Sequence, residues 1–104
     1  MPKIYEYNGY SFLFYSNDHE PPHCHVQKAG KMLRIRFVNT VGAISLKYSH
    51  ITEKRKFTKS EIRNIDDFAR PYSNEILEKW DIFFNQKKKP KFEKIAILKK
   101  QGSK

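Results

Sequence analysis

The stretch "HCHVQKAGKMLRIRFV", residues 23–38, carries the pattern that decides the fold. Its side chains alternate around the central Ala29-Gly30 pair, and a glycine-containing pair between two such runs is typical of a tight turn that joins antiparallel strands. Side chains on a strand point to opposite faces in turn. The stretch therefore predicts a hairpin with two chemically distinct faces.

One face of this predicted hairpin is apolar and the other carries cations and imidazoles. The apolar side chains are those of Cys24, Val26, Leu33, Ile35 and Phe37. If this face meets helices, the opposite face exposes two histidines beside two arginines. That second face is our candidate site, formed by His23, His25, Arg34 and Arg36.

Three more strands are predicted around this hairpin. "IYEY" and "YSFLFYS" flank Asn8-Gly9, the dipeptide best suited to a type I′ turn because both central residues need positive φ. "AISLKY", residues 43–48, follows a turn that contains Asn39 and Gly42. The total is about five short strands in one antiparallel sheet, with the N-terminal hairpin first.

From Thr58 the apolar period changes from two to about 3.6, which indicates helix. Thr58 and Glu61 fit a capping box, and Pro71 interrupts the pattern because proline lacks a backbone donor. The stripes on either side predict two helices or one kinked helix packed on one face of the sheet, and hence an α+β fold. These stripes are Ile62, Ile65, Phe68 and Ala69, then Ile76, Leu77, Trp80, Phe83 and Phe84.

The net charge of +10 is unevenly distributed. Residues 1–86, which we interpret as a single α+β domain, hold 13 Lys and Arg against 10 Asp and Glu. Residues 87–104 hold 8 Lys and one Glu and are interpreted as a lysine-rich C-terminal extension, with an edge strand in "KFEKIAIL" through Phe92, Ile95 and Ile97 before a disordered end. The extension either contacts nucleic-acid phosphates nonspecifically or only keeps the protein in solution. The candidate phosphate contacts are Lys87, Lys88, Lys89 and Lys91.

Composition excludes several classes of protein. The single cysteine, Cys24, cannot form an intramolecular disulfide, and its spacing to other residues gives no redox motif. The N-terminal "MPKIYEYNGY" lacks the apolar run of a signal peptide. No stretch approaches the roughly 20 apolar residues of a membrane span. We therefore expect a cytoplasmic protein with no membrane partner.

The stretch "YSNDHEPPHCHV", residues 15–26, holds three of the four histidines. Asp18, His19, Pro21 and Pro22 are interpreted as a shaped turn that leads into the histidine strand. A metal bound by His19, His23 and His25 is one reading of the cluster, since imidazoles two apart on a strand can chelate one ion. Two neighbouring arginines would repel a cation, so we expect no metal and no other cofactor, with this ligand set as the alternative.

Metal-independent phosphodiester cleavage is the second reading of the cluster. One imidazole would abstract a 2′-hydroxyl proton, a second group would protonate the leaving oxygen, and arginines would stabilise the charged transition state. His23 and His25 are the acid and base candidates, Arg34 and Arg36 the phosphate ligands, and Tyr15 can assist. In the third reading the histidines only bond to the backbone and pack beside aromatic rings.

The chain resembles the small bacterial proteins grouped as domain of unknown function 4160. Their pattern is an aromatic strand, then Asp-His-x-Pro-Pro-His-x-His-Val, and later a helix with Asn, Leu and Trp near its end. The resemblance covers about residues 3–86, and the chain departs from it at Cys24, where an aromatic is usual, at Pro71, and in its longer lysine tail. The matching residues are Asp18, His19, Pro21, Pro22, His23, His25 and Val26, then Asn74, Leu77 and Trp80.

The resemblance implies no established activity. Members are often encoded beside another small protein, and such pairs look like candidate toxin and antitoxin modules. One hypothesis is therefore a toxin-like protein that acts on RNA or other nucleic acid and pairs with a small antitoxin-like partner. The alternative is a non-enzymatic binding or regulatory module that docks a partner protein through a sheet edge or helix face, while its basic tail contacts nucleic acid.

Overall fold

The computed structural model describes residues 2–15, 21–51 and 55–96. In this part of the chain six strands form one sheet in the order β5-β4-β3-β2-β1-β6. Two α-helices and a short π-helical turn, residues Asp81–Asn85, lie between β5 and β6. The elements are β1 (Lys3–Tyr7), β2 (Tyr10–Leu13), β3 (His23–Lys28), β4 (Lys31–Thr40), β5 (Ala43–His50), α1 (Lys59–Ala69), α2 (Ser73–Trp80) and β6 (Glu93–Ile95).

The α+β prediction is confirmed, with one strand more than the approximate count. β1 to β5 form an antiparallel meander, whereas β6 pairs with β1 in parallel. The sixth strand lies within "KFEKIAIL", at the edge of the sheet, with Tyr5 opposite Glu93. Ile97, which was also expected in this strand, lies outside the described residues.

In the described residues three hairpins turn through two residues, and both residues of each turn have positive φ, as type I′ turns require. Asn8-Gly9 has φ values of 52° and 83°, and Ala29-Gly30 has 51° and 80°. The third turn is Val41-Gly42, at 50° and 80°. The expectation that Asn39 belongs to this turn is wrong, because the β4–β5 ladder continues past Asn39 to the pair of Thr40 with Ala43.

Helix α1 begins at the predicted capping box. The Thr58 hydroxyl accepts from the Glu61 backbone N–H at 3.1 Å, and Glu61 accepts from the Thr58 N–H at 2.8 Å. Lys31, the first residue of β4, reaches the same carboxylate at 3.0 Å. Pro71 lies between α1 and α2, so the break is real and the segment is two helices.

Both helices cover the apolar face of the sheet, and the core lies between the two layers. Phe68 is the central ring of this core and contacts Tyr5, Tyr7 and Phe12 at centroid distances of 4.8 to 5.3 Å. The five side chains predicted for the apolar face are all buried there, including Cys24, the free cysteine. In the described residues no helix is long and apolar enough to cross a membrane.

A buried lysine ties the C-terminal segment to the rest of the fold. Lys79 on α2 is 7% exposed and donates to the Lys91 carbonyl at 2.6 Å. Its ammonium lies 3.1 Å from the Glu93 carboxylate and 4.9 Å from the Tyr5 ring centroid. The contacts with Lys91 and Glu93 attach the segment that contains β6 to α2. One side chain therefore links the helix layer to the parallel edge strand.

We expect Lys79→Met to lower the free energy of unfolding by about 1–3 kcal/mol, because the buried Lys91 contact and the Glu93 ion pair lose their donor while the volume is kept. The control is Lys94→Met, since Lys94 is 76% exposed along its side chain and should change stability by at most about 0.5 kcal/mol. Urea unfolding of both variants measures the difference. Equal effects would contradict the fastening role.

Acid should weaken the start of α1. The Thr58 backbone N–H and then Lys31 hold the pKa of Glu61 below its ordinary value of 4.5. This contribution to stability is complete above that ordinary value and is lost as the pH falls through the lowered pKa of the folded protein. Glu61→Gln should therefore flatten the acid limb of the stability curve, as followed by urea unfolding from about pH 6 to about pH 3. Asp67→Asn, on the exposed side of α1, is the control. The fall in stability with decreasing pH should remain steeper in this variant than in Glu61→Gln.

Candidate functional site

The register of β3 against β4 brings the predicted histidines and arginines together. His23 lies opposite Arg36, and His25 lies opposite Arg34. Directly opposed residues share a face of the sheet, with their Cβ atoms about 5 Å apart. These four residues, called the His–Arg face below, therefore lie on the side of the sheet away from the helices, as predicted.

The cationic character of this face extends onto the edge strand. Lys47 of β5 lies opposite Arg36, and Ser49 lies opposite Arg34. Along β2 to β5, the residues that share this face include no aspartate or glutamate. The face thus presents two guanidiniums and one ammonium without a carboxylate from these strands, which favours an anionic ligand.

His25 lies beneath aromatic rings. It is only 5% exposed, although it faces away from the helix layer. The ring of Tyr15, just after β2, stands edge-on to it at 4.3 Å, and the His23 ring lies 5.4 Å away. Tyr15 also donates its hydroxyl to the Met32 sulfur at 3.4 Å. His25 therefore positions its neighbours more readily than it reaches a ligand.

His23 is the more accessible histidine. Its Nδ1 lies 3.0 Å from the Pro21 carbonyl oxygen, which can only accept, so the hydrogen bond places a proton on Nδ1. In the neutral ring Nε2 then keeps its lone pair. The proline turn is itself tied to β4, because Phe37 donates its N–H to the Pro22 carbonyl at 3.0 Å. The turn thus fixes the tautomer of a partly exposed base.

The two arginines differ in exposure. Arg36 is exposed, whereas Arg34 is partly buried. The Arg34 Nε is buried and, within the part of the chain that the structure describes, donates to no hydrogen-bond acceptor. A planar guanidinium with an open donor suits a phosphate or carboxylate oxygen.

Trp80 links this face to the helix layer. Its ring lies 5.4 Å from His23 and 4.0 Å from Phe84, and it is 3% exposed. We interpreted Trp80 from the sequence as a core residue, and it is buried, but its contact with His23 was not predicted. The helical stripe showed that Trp80 faces inward, whereas this contact depends on how the end of α2 reaches the proline turn.

The remaining predicted residues divide into described and undescribed ones. Lys87, Lys88, Lys89 and Lys91 are exposed on the segment between the π-helical turn and β6. Asp18 and His19 lie outside the described residues. Of the three ligands in the metal alternative, only His23 and His25 are therefore described. Among the described residues no group of three His, Cys, Asp or Glu is placed to hold a metal ion.

A family model, described as Domain of unknown function (DUF4160), matches residues 9–81. The chain belongs to this family. The matched range contains the whole His–Arg face, Tyr15 and both α-helices, and ends before β6. No curated protein and no solved structure matches the chain. The candidate site is therefore the feature of this DUF4160 protein that indicates its function.

The exposure of the histidines predicts their order of chemical modification. Diethyl pyrocarbonate should modify His23 and the exposed His50 well before His25, which Tyr15 and the sheet cover. Mass spectrometry of peptides at short reaction times measures the three rates. Tyr15→Ala should bring the His25 rate toward that of His23. Equal rates in the unaltered protein would contradict the covered position of His25.

Proposed function

We propose that this DUF4160 protein is the toxin-like member of a two-gene module, acting in the bacterial cytoplasm, and that it cleaves RNA without a metal. The observation that carries the proposal is the pairing of His23 with Arg36 and of His25 with Arg34 on one face of the sheet. Imidazoles can move protons near neutral pH, and guanidiniums bind phosphate bidentately. Together they match the needs of phosphodiester cleavage.

His23 is the base in this proposal. Its Nε2 takes the proton from a ribose 2′-hydroxyl, and the oxygen attacks the adjacent phosphorus to form a 2′,3′-cyclic phosphate. The bond from phosphorus to the 5′-oxygen breaks, and that oxygen leaves with a proton. Arg36 and Arg34 stabilise the extra negative charge on the phosphoryl oxygens in the transition state.

Tyr15 is the candidate donor of the leaving-group proton, and for this step its hydroxyl turns from the Met32 sulfur, a weak acceptor 3.4 Å away, to the leaving oxygen. It is partly exposed, and its ring contacts His25, which in turn contacts His23. His25 then acts as a positioning residue that spaces the base from the acid, in keeping with its burial. The sequence hypothesis named both histidines as acid and base, and the difference comes from the 5% exposure of His25.

Replacing His23 tests the reaction. In the presence of a chelator, His23→Gln should lower cleavage of a single-stranded RNA by about 100-fold or more, since a positioned base contributes about that much. Gel electrophoresis gives the rate, and mass spectrometry of the product detects the cyclic phosphate. Circular dichroism and the thermal midpoint establish that the variant is folded.

Matched control variants distinguish the effect of changing a site residue from the effect of losing a histidine or a positive charge elsewhere on the protein. His50→Gln changes an exposed histidine at the end of β5 and should leave the rate unchanged. Arg36→Gln should reduce the rate strongly, whereas Arg63→Gln on the outside of α1 should not. A His23→Gln rate within about twofold of the unaltered rate, or cleavage that stops with the chelator, would overturn the proposal.

A binding module is the second candidate, and the edge of the sheet favours it. β5 is eight residues long and forms one end of the sheet, so its outer backbone groups can pair with a strand from a partner protein. The small protein encoded alongside is the partner to test. A salt-resistant complex with that protein, found together with no RNA cleavage, would favour this candidate over the first.

A further inference from the structure

Two cavities meet beside the π-helical turn. One has a volume of about 690 Å³ and includes Lys3, Phe83 and Phe92 in its lining; the other has about 350 Å³ and includes Phe83 and Phe84. Phe83 and Lys89 line both, so the two are parts of one depression. We call it the aromatic–lysine groove, formed by Lys3, Phe83, Phe84, residues 87–89 and Phe92.

The aromatic wall of this groove is held from behind. Phe83 stacks on Phe14 at 6.1 Å and meets Phe84 edge-on at 4.6 Å, while Phe84 packs on Trp80 at 4.0 Å. At the opposite side Phe92 is 46% exposed. A ring held in this way, as Phe83 is, loses little side-chain entropy when a planar ligand stacks on it.

The local backbone places lysines next to these rings. After the π-helical turn the Lys88 N–H donates to the Ile82 carbonyl at 2.9 Å, and Lys87 has a positive φ of 58°. The chain therefore turns at Lys87, and Lys87, Lys88 and Lys89 are all exposed in the lining shared with Phe83 and Phe84.

Positive charge dominates the groove. Lys3 lies 5.9 Å from the Phe92 ring centroid, which adds a fourth ammonium to the three at the rim. Glu6 is the carboxylate in the lining, and both Lys3 and Lys94 lie 4.0 Å from it. The occupant should therefore be anionic and carry planar groups.

Lys3, in the lining of the groove, shares a face of the sheet with the candidate site. Lys3 lies opposite Leu13, Leu13 lies opposite His25, and His25 lies opposite Arg34. Neighbouring strands are about 4.8 Å apart, so β1 and β3 are separated by only about 10 Å. Trp80 makes a second connection, because it touches both His23 and Phe84.

We propose that the aromatic–lysine groove binds single-stranded RNA and leads it to the His–Arg face. Bases stack on Phe83 and Phe92, and the lysines neutralise the phosphates, which is how proteins hold single strands without reading sequence. The proposal rests on the proposed function, since it names the form of RNA that the site receives. A duplex lacks the open base faces that these rings need, and an acidic peptide has no planar groups to stack.

Binding to a strand that cannot be cleaved tests the groove independently of catalysis. The probe is a fluorescein-labelled 2′-O-methyl oligouridine of about twelve nucleotides, which lacks the attacking hydroxyl. Fluorescence anisotropy should show Phe92→Ser weakening binding on the order of tenfold, the usual effect of losing one stacked base. Val41→Ser, which replaces an apolar side chain that is 99% exposed in the β4–β5 turn, is the control and should bind normally.

The dependence of Kd on salt concentration tests the role of the lysines. Changing Lys87, Lys88 and Lys89 to Gln should reduce the slope of log Kd against log salt by about 2, because each phosphate contact on a single strand contributes about 0.7. Changing Lys56, Lys59 and Arg63 to Gln removes the same charge near α1 and should leave the slope nearly unchanged. Phe83→Leu, which keeps apolar volume behind the groove, should weaken binding with little change in slope.

The outcomes separate the two proposals. Loss of 2′-O-methyl RNA binding in the groove variants, with no cleavage of RNA by the unaltered protein, supports the groove and overturns the cleavage proposal. Tighter binding of a duplex of equal length, equally effective competition by polyglutamate, or normal binding by both Phe92→Ser and the triple lysine variant would overturn the groove. Cleavage that depends on His23 but not on the groove residues would leave only the proposed function standing.

Discussion

The register of the β3–β4 hairpin is the constraint on which the rest of the molecule depends. Its two-residue turn at Ala29-Gly30 fixes which residues oppose one another. A slip by one position would send both histidines into the core and turn Cys24 and Val26 outward. The same alternation thus produces the covered apolar face and the cationic face, so one register sets both the core and the candidate site.

Much of the fold could be predicted because its signals are local. Asn8-Gly9 predicts the turn of the first hairpin. Thr58 and Glu61 predict the start of α1, and Pro71 predicts the break between α1 and α2. The parallel pairing of β6 with β1 has no such signal, since its partners are about 90 residues apart and a short lysine-rich strand resembles a tail. The burial of Lys79 also could not be predicted from the sequence, because lysine is normally exposed.

The candidate site, too, has features that local sequence patterns predict and features that they do not. Strand alternation was enough to place the histidines and arginines on one face, and the ladder confirms that arrangement. The covering of His25 by Tyr15 depends on how the chain leaves β2, and the contact of His23 with Trp80 depends on the helix layer. The sequence pattern predicts which side chains share a surface, but their relative exposure depends on elements distant in the sequence.

The parallel strand has a consequence for the order of events during synthesis. β1 is made first, yet its outer neighbour β6 and the lysine that fastens it come from the last third of the described chain. During translation the outer edge of β1 stays open until β6 has been made, whereas the other strands of the meander precede β6 in the chain. The cavity beside Phe83 and Phe92 is therefore completed late, and a nascent chain holds the His–Arg face before it holds the depression that adjoins it.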